Sequence, residues 1–283
     1  MGRAVLNSIR PEHNILLWDK RQGAVPNLMS IEESVQPAEL VFLCVPSSGL
    51  REAVLGVKAG MAPGAVVASV TKGIEAASGH MAHMLLGETL PADSFGLLSG
   101  PMLAEELRDG QGAVALVATT SAVLMQRLAE AFKSGWIRLE PVTDMDSVAY
   151  AGVLKNVYAL AIGLADGLGY GNNIKGYLAA KIILELEEAA RRLNVDAEVV
   201  SGVAGVADFI ATAFSPYSLN REAGIKIARG SVPPQSEGLA SLPHILKRLE
   251  NNLNGLEILE MLRRIVLEKQ DASRLMEKFV YGK

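Results

Sequence analysis

Short apolar and β-branched runs alternate with helix-like segments through the first half of this 283-residue chain, and the alternation stops at about Asp146. Residues 14–18, 40–45, 65–70, 95–98 and 113–118 have the length and composition of strands, each bounded by Gly, Pro, Ser or Asp. Residues 32–35, 49–57, 79–86 and 103–108 carry helical patterns between them. Strands apolar enough to be covered on both faces, alternating with helices, predict an α/β fold built on a doubly wound parallel sheet. Beyond Asp146 the strand-like pattern disappears. Residues 148–168 are small and apolar nearly all round, as in a helix buried within a bundle. Residues 174–193 predict an amphipathic helix with Leu178, Ile182, Leu186 and Ala189 inward and Glu185, Glu187, Glu188, Arg191 and Arg192 mostly outward. Helices over 242–253, 255–267 and 272–279 complete an all-α second half. The chain is longer than one hydrophobic core usually supports, so a division into residues 1–146 and 147–283 is expected.

Composition narrows the partners. At 49% hydrophobic and 20% charged the chain is an ordinary globular protein, while 5% aromatic content and a net charge of −4 argue against nucleic acid. The single cysteine, Cys44, lies in an apolar run and reads as a small buried hydrophobe. His80 and His83 form a close pair on the predicted helix, but no nearby cysteine or acidic cluster completes a metal site. Apolar stretches such as 157–165 are too short to span a bilayer before Asp166, and the amino terminus lacks a signal pattern. A soluble, cytoplasmic protein without a membrane span is expected.

Several motifs sit where ligands bind in open parallel sheets, at the carboxyl ends of strands. Val45-Pro46-Ser47-Ser48 closes one strand, and Ser69-Val70-Thr71-Lys72-Gly73-Ile74 closes another with a cation beside a glycine. Ser99-Gly100-Pro101-Met102-Leu103-Ala104-Glu105-Glu106 follows a third strand and opens a helix, where backbone donors could face an anion. Leu16-Leu17-Trp18-Asp19-Lys20-Arg21 places a carboxylate where it could accept adenosine ribose hydroxyls, with Lys20 and Arg21 able instead to pair a 2′-phosphate. The chain opens at Met1-Gly2-Arg3-Ala4-Val5-Leu6, which looks like the last glycine of a G-x-G-x-x-G loop and the helix after it. The strand and first two glycines of such a loop are absent, and a late start or a fragment is the expected explanation.

In the second half, Lys155-Asn156 interrupts the apolar stretch 148–164. Apolar surroundings disfavour the charged form of a lysine and suit it to proton exchange. Asp208 lies among small and apolar residues with Thr212 four positions on, and such an aspartate needs a cationic partner. Ser218-Leu219-Asn220-Arg221 adds a polar cluster in a loop or at a helix start.

In order, these segments resemble the NAD(P)-dependent glycerol-3-phosphate dehydrogenase family from Gly2 to beyond Glu237. The resemblance rests on Val45-Pro46-Ser47, Thr71-Lys72-Gly73-Ile74-Glu75, Ser99-Gly100-Pro101 with Ala104-Glu105-Glu106, Leu154-Lys155-Asn156, Asp166-Gly167-Leu168-Gly169 through Asn173, Gly205 with Asp208, and Ser218 with Asn220. It implies a Rossmann domain lacking its first strand, a helical substrate domain, a cleft between them, NAD or NADP as cofactor, a small phosphorylated substrate and a homodimer. By that likeness Lys155 is the general acid and base, Asp208 orients it, and Asn156 and Thr212 contact substrate. Lys72, Gly100, Ser218 and Asn220 join the substrate site, while Gly2, Asp19, Pro46, Lys72, Ala104 and Glu237 fall where the family contacts cofactor. Four positions depart from the family pattern. Leu219 replaces an arginine that forks onto phosphate, Met102 a serine, Ala149 a glutamate and Ala207 a glycine. Two alternatives stay open: a related dehydrogenase for another small hydroxy compound, and a non-catalytic dinucleotide-binding paralogue.

Overall fold

A computed structural model describes residues 1–9, 13–26, 29–133 and 135–282. The chain forms two compact units, Met1–Glu75 with His80–Met145 and Ala76–Gly79 with Asp146–Lys283.

Unit 1 is built on a five-stranded sheet whose order follows the sequence: β1 (Leu40–Leu43), β2 (Val66–Ser69), β3 (Phe95–Ser99), β4 (Ala113–Ala118) and β5 (Ile137–Val142). The β1–β2, β2–β3 and β4–β5 pairs are parallel, and β3–β4 is antiparallel. Among the described residues six helices accompany it: α1 (Gly2–Ser8), α2 (Ile31–Val35), α3 (Ser47–Gly60), α4 (Ala82–Gly87), α5 (Ala104–Arg108) and α6 (Ala122–Ala131). Every residue of β2 and β3 is buried, which is why these strands read as unbroken apolar runs. Ala4 and Val5 of α1, Leu107 of α5 and Leu124 and Leu128 of α6 share a core with Val66, Ala68, Leu98, Ala115 and Val117 of the sheet.

Residues 14–18 do not form the expected strand. They have no ladder partner among the described residues, and Leu16 and Leu17 are exposed; apolar composition makes no strand without a neighbour to pair with. Asp19 accordingly follows an irregular segment rather than a strand. The helix expected over 79–86 begins only at Ala82, which leaves His80 outside it, bonded through Nδ1 to Glu88 at 2.5 Å. Sequence patterns also miss α6 and β5; the latter is an edge strand with polar residues and Pro141, tolerated because it pairs on one side only.

The second half is helical throughout: α7 (Met145–Gly167), α8 (Asn172–Arg192), α9 (Ala197–Ser201), a π-helical turn at Val203–Ala207, α10 (Asp208–Phe214), α11 (Leu219–Ala228), α12 (Glu237–Arg248), α13 (Glu257–Leu262), a second π-helical turn at Arg263–Leu267, and α14 (Ala272–Tyr281). Residues 147–165 of α7 are all buried, so it is the central helix of unit 2. Met145–Gly167 and Ala197–Phe214 have the length and hydropathy of a bilayer span, longer than the apolar run 157–165 suggests. The first is wholly enclosed by protein, as a core helix is, and the second is broken by the π turn.

Glycines let α11 lie directly on α7. A Cβ on Gly163 would stand 2.1 Å from the Arg221 carbonyl oxygen, and one on Gly224 would stand 2.2 Å from that of Leu160. The inward stripe of α8 forms as expected, with one correction. Glu185 points inward, only 7% exposed, and accepts the Ile258 and Leu259 N–H groups and the Tyr158 hydroxyl at 2.6, 3.2 and 3.1 Å. Its position three residues after Ile182 places it on the buried face, where the unsatisfied amides opening α13 supply its partners.

Candidate active site

In unit 2 the apolar wall of α7 is interrupted where Lys155 meets α10. Lys155 Nζ donates to Asp208 Oδ1 at 3.1 Å and to Thr212 Oγ1 at 2.7 Å, while Thr212 Oγ1 donates to Asp208 Oδ1 at 3.3 Å. The lysine and aspartate side chains are 7% and 2% exposed. Asp208 and Thr212 share a face because they lie one helical turn apart. The π turn delivers them: Ala207 N–H reaches back to the Gly202 carbonyl, and Asp208 begins the α-helix immediately afterwards. A Cβ at Gly205 would stand 1.8 Å from the Val200 carbonyl oxygen, so the turn closes only over glycine. Such a cluster withholds one amine from water, keeps a carboxylate beside its charged form, and leaves it able to exchange a proton with a neighbouring oxygen.

One residue further along α7, Asn156 Oδ1 accepts from Asn220 Nδ2 at 2.8 Å, and Asn220 Oδ1 accepts from the Gly238 N–H at 2.8 Å. Ser218 proves to be the start of a helix. It caps α11 by accepting the Arg221 N–H, which sets Leu219 in the first turn with 54% exposure. Glu237 opens α12 behind the Ser236 cap. Arg221 does not replace the missing arginine, because its Nε is held by Asp166 Oδ2 at 2.6 Å while Lys175 takes Oδ1 at 2.9 Å. Sequence reasoning missed Gly238 as part of this framework, and, elsewhere in unit 2, the bond of Tyr158 to Glu185 between α7 and α8. A glutamate within the Ile182–Leu186 stripe was the available signal for Glu185.

In unit 1 the parallel strands β1, β2 and β3 end on one edge, and side chains tie their loops together. Thr71 Oγ1 donates to the Val45 carbonyl at 2.7 Å, and Lys72 Nζ to the Gly100 carbonyl at 2.9 Å. Pro46 stands at the amino end of α3, where no side chain caps the first turn, and Ala104 is the first residue of α5. Gly2 opens α1, with a Cβ there falling 3.7 Å from Cys44 Cβ. The set fits a dinucleotide: glycine-lined strand ends, a helix amino end that no side chain caps and a cation for phosphate. Asp19 is engaged by Arg21 through its backbone N–H at 2.9 Å and its guanidinium at 3.2 Å, bonds that lower the carboxyl's proton affinity.

A Rossmann-like α/β unit, followed in the chain by an all-helical unit with a buried lysine–aspartate pair, is the make-up of a two-part dehydrogenase. Comparison with known proteins narrows this. Residues 13–124 match the NAD-dependent glycerol-3-phosphate dehydrogenase N-terminus and residues 144–277 the C-terminus of the same family. The chain belongs to the NAD-dependent glycerol-3-phosphate dehydrogenase family. It is 33% identical over 273 residues to the glycerol-3-phosphate dehydrogenase [NAD(P)+] of Thiobacillus denitrificans, covering 86% of this chain and 80% of that one. To the Chlorobium limicola protein of the same name it is 36% identical over 204 residues, covering 71% and 61%. For several relatives the matched region spans less than two thirds of their length. The fold is that of the crystallised glycerol-3-phosphate dehydrogenase of Coxiella burnetii, with a TM-score of 0.74 at 22% identity over 88% of this chain and 79% of that one. The Plasmodium falciparum structure gives 0.74 at 20%, covering 89% and 75%.

Proposed function

We propose that the chain interconverts sn-glycerol 3-phosphate and dihydroxyacetone phosphate with NAD or NADP, supplying the glycerol phosphate backbone of phospholipids. The dinucleotide is assigned mainly to residues 1–146 and the substrate mainly to residues 147–283. The observation that carries the reading is the enclosed Lys155–Asp208–Thr212 cluster, because a desolvated ammonium held by a carboxylate has a purpose at an oxygen whose charge changes during reaction.

When bound, the nicotinamide supplies or accepts the hydride. Lys155 gives a proton to the C2 oxygen in the direction of reduction and takes it back in the direction of oxidation. Asp208 and Thr212 hold the amine in place, so that no reorganisation is needed as the alkoxide develops. Asn156 meets the substrate's polar groups, with Asn220 and Ser218 in the same polar cluster; Lys72 and Gly100 are the residues of unit 1 assigned to the substrate. Gly2, Asp19, Pro46, Ala104 and Glu237 are assigned to the dinucleotide. A cytoplasmic location and a homodimer belong to the same proposal, the latter checked by sedimentation.

The exposed Leu219 supports a second reading, in which the enzyme takes a small hydroxy compound without phosphate, since leucine offers phosphate neither charge nor donor. One assay separates the two. NADH and NADPH oxidation is followed with dihydroxyacetone phosphate and with unphosphorylated dihydroxyacetone. Faster turnover of the phosphate ester supports the first reading; equal rates reject it, and no turnover from folded protein favours a non-catalytic role.

A further inference from the structure

Gly238 lies outside every set of residues assigned above, yet it touches two of them. It is the second residue of α12, and its N–H donates to Asn220 Oδ1 at 2.8 Å. A backbone N–H can only donate, so it determines which end of the Asn220 amide faces it: the oxygen. The other end, Nδ2, is then turned to Asn156, where it donates to Oδ1 at 2.8 Å. Both asparagines are buried, at 5% and 8% exposure. The direction of the chain is therefore set from the backbone outwards, and Asn156 has its oxygen committed inward.

The contact requires glycine. A Cβ at Gly238 would stand 2.3 Å from the Asn156 carbonyl oxygen and 2.9 Å from Asn220 Oδ1. The first neighbour is the backbone of the central helix and cannot give way, so a larger residue would push the opening turn of α12 off α7 and stretch the Gly238–Asn220 bond.

We propose that Gly238 is a positioning residue, which through Asn220 fixes the amide of Asn156 with nitrogen, not oxygen, directed away from Asn220. The inference rests on the proposed function, in which Asn156 meets the substrate beside Lys155. It adds a selectivity: Asn156 serves as a hydrogen-bond donor, matched to a carbonyl, alkoxide or phosphate oxygen. Because Gly238 lies in the first turn of α12, displacement of that turn displaces the donor that sets this polarity.

The test is a kinetic double-mutant cycle on the full chain, using dihydroxyacetone phosphate and NADPH. Asn220→Asp keeps an acceptor for Gly238 N–H but faces Asn156 Oδ1 with an oxygen. It is expected to lower kcat/KM by about tenfold to a hundredfold. In an Asn156→Ala background the same change should cost less than about twofold, because the residue it acts through is gone. The ratio of Asn220→Asp to wild-type activity should also rise as pH falls, since the introduced carboxyl, once protonated, can donate to Asn156 Oδ1 as the native amide does. A purely structural lesion would show no such recovery. Equal losses in both backgrounds would mean that Asn220 acts directly on substrate and would overturn the proposal while leaving the proposed function intact. An Asn156→Ala variant with unchanged kcat/KM would remove the proposed role of Asn156 and the inference together. Gly238→Ala, with folding followed by thermal melting, should reproduce the loss in the wild-type background; an undiminished kcat/KM in folded Gly238→Ala would likewise overturn the proposal.

Discussion

Lys155 and Asp208, 53 positions apart in sequence, meet with Nζ 3.1 Å from Oδ1 in a part of unit 2 almost closed to solvent. The π turn at Val203–Ala207 and the close backbone contact at Gly205 place the carboxylate there, and the fully buried α7 places the amine.

Replacing Lys155 by alanine should reduce turnover by about a hundredfold to ten-thousandfold, the usual contribution of a positioned acid or base. Dinucleotide affinity, measured by NADH fluorescence titration, should stay close to wild type, because Lys72, Pro46 and Ala104 are untouched. Retained turnover would overturn the assignment.

Removing Asp208 alone strands a buried ammonium. Asp208→Ala should destabilise the protein by about 3–5 kcal/mol in urea unfolding. The double variant Lys155→Met/Asp208→Leu should recover much of that stability and none of the activity, since an apolar pair of similar volume needs no ionic partner. If the double variant is as unstable as the single one, the cost lies in packing rather than charge.

Arginine at position 219 should improve phosphate binding. Leu219 is exposed and adjoins Asn220, and Arg221 is occupied by Asp166. Leu219→Arg is expected to lower KM for dihydroxyacetone phosphate about tenfold through a charge-assisted fork, without changing KM for dihydroxyacetone. A flat response for the phosphate ester places its phosphate elsewhere.

Glu185 should make stability depend on pH. Burial pushes its carboxyl up from 4.5 to about 7, against the lowering effect of the Ile258 and Leu259 amides and the Tyr158 hydroxyl. In the unfolded chain the proton is lost near 4.5; in the folded protein it is held until about 7. The folded state thus binds more protons between these values, and the stabilisation from this group is complete below the lower one and lost as pH rises through the upper. Urea midpoints across this window should fall relative to those of Glu185→Gln, whose amide does not titrate. Parallel pH profiles for the two proteins would show that Glu185 does not change its proton there.

The alternation of strands and helices was legible in composition for β1 to β4, because strands covered on both faces must be apolar along their whole length. Strand β5 was not legible, since an edge strand needs only one apolar side and can carry Arg138, Glu140 and Pro141. Residues 14–18 show the converse: they are apolar enough to be a strand, yet pairing depends on a neighbour that no local pattern records. For the chemistry, a Lys-Asn pair within an apolar helix and an aspartate in a small-residue segment each announced an unmet need for a partner, and family resemblance gave them roles.

By itself the sequence determined the kinds of element, the change from α/β to all-α near Asp146, and the residues too polar for their surroundings, because periodicity and burial cost act locally along the chain. Only the tertiary structure decided which of those residues satisfy one another: Lys155 with Asp208 and Thr212, Arg221 with Asp166, Glu185 with the opening amides of α13, and Gly238 with Asn220 and Asn156. Those choices depend on where helices cross and how closely their backbones approach, and that is set by distant glycines and turns acting together.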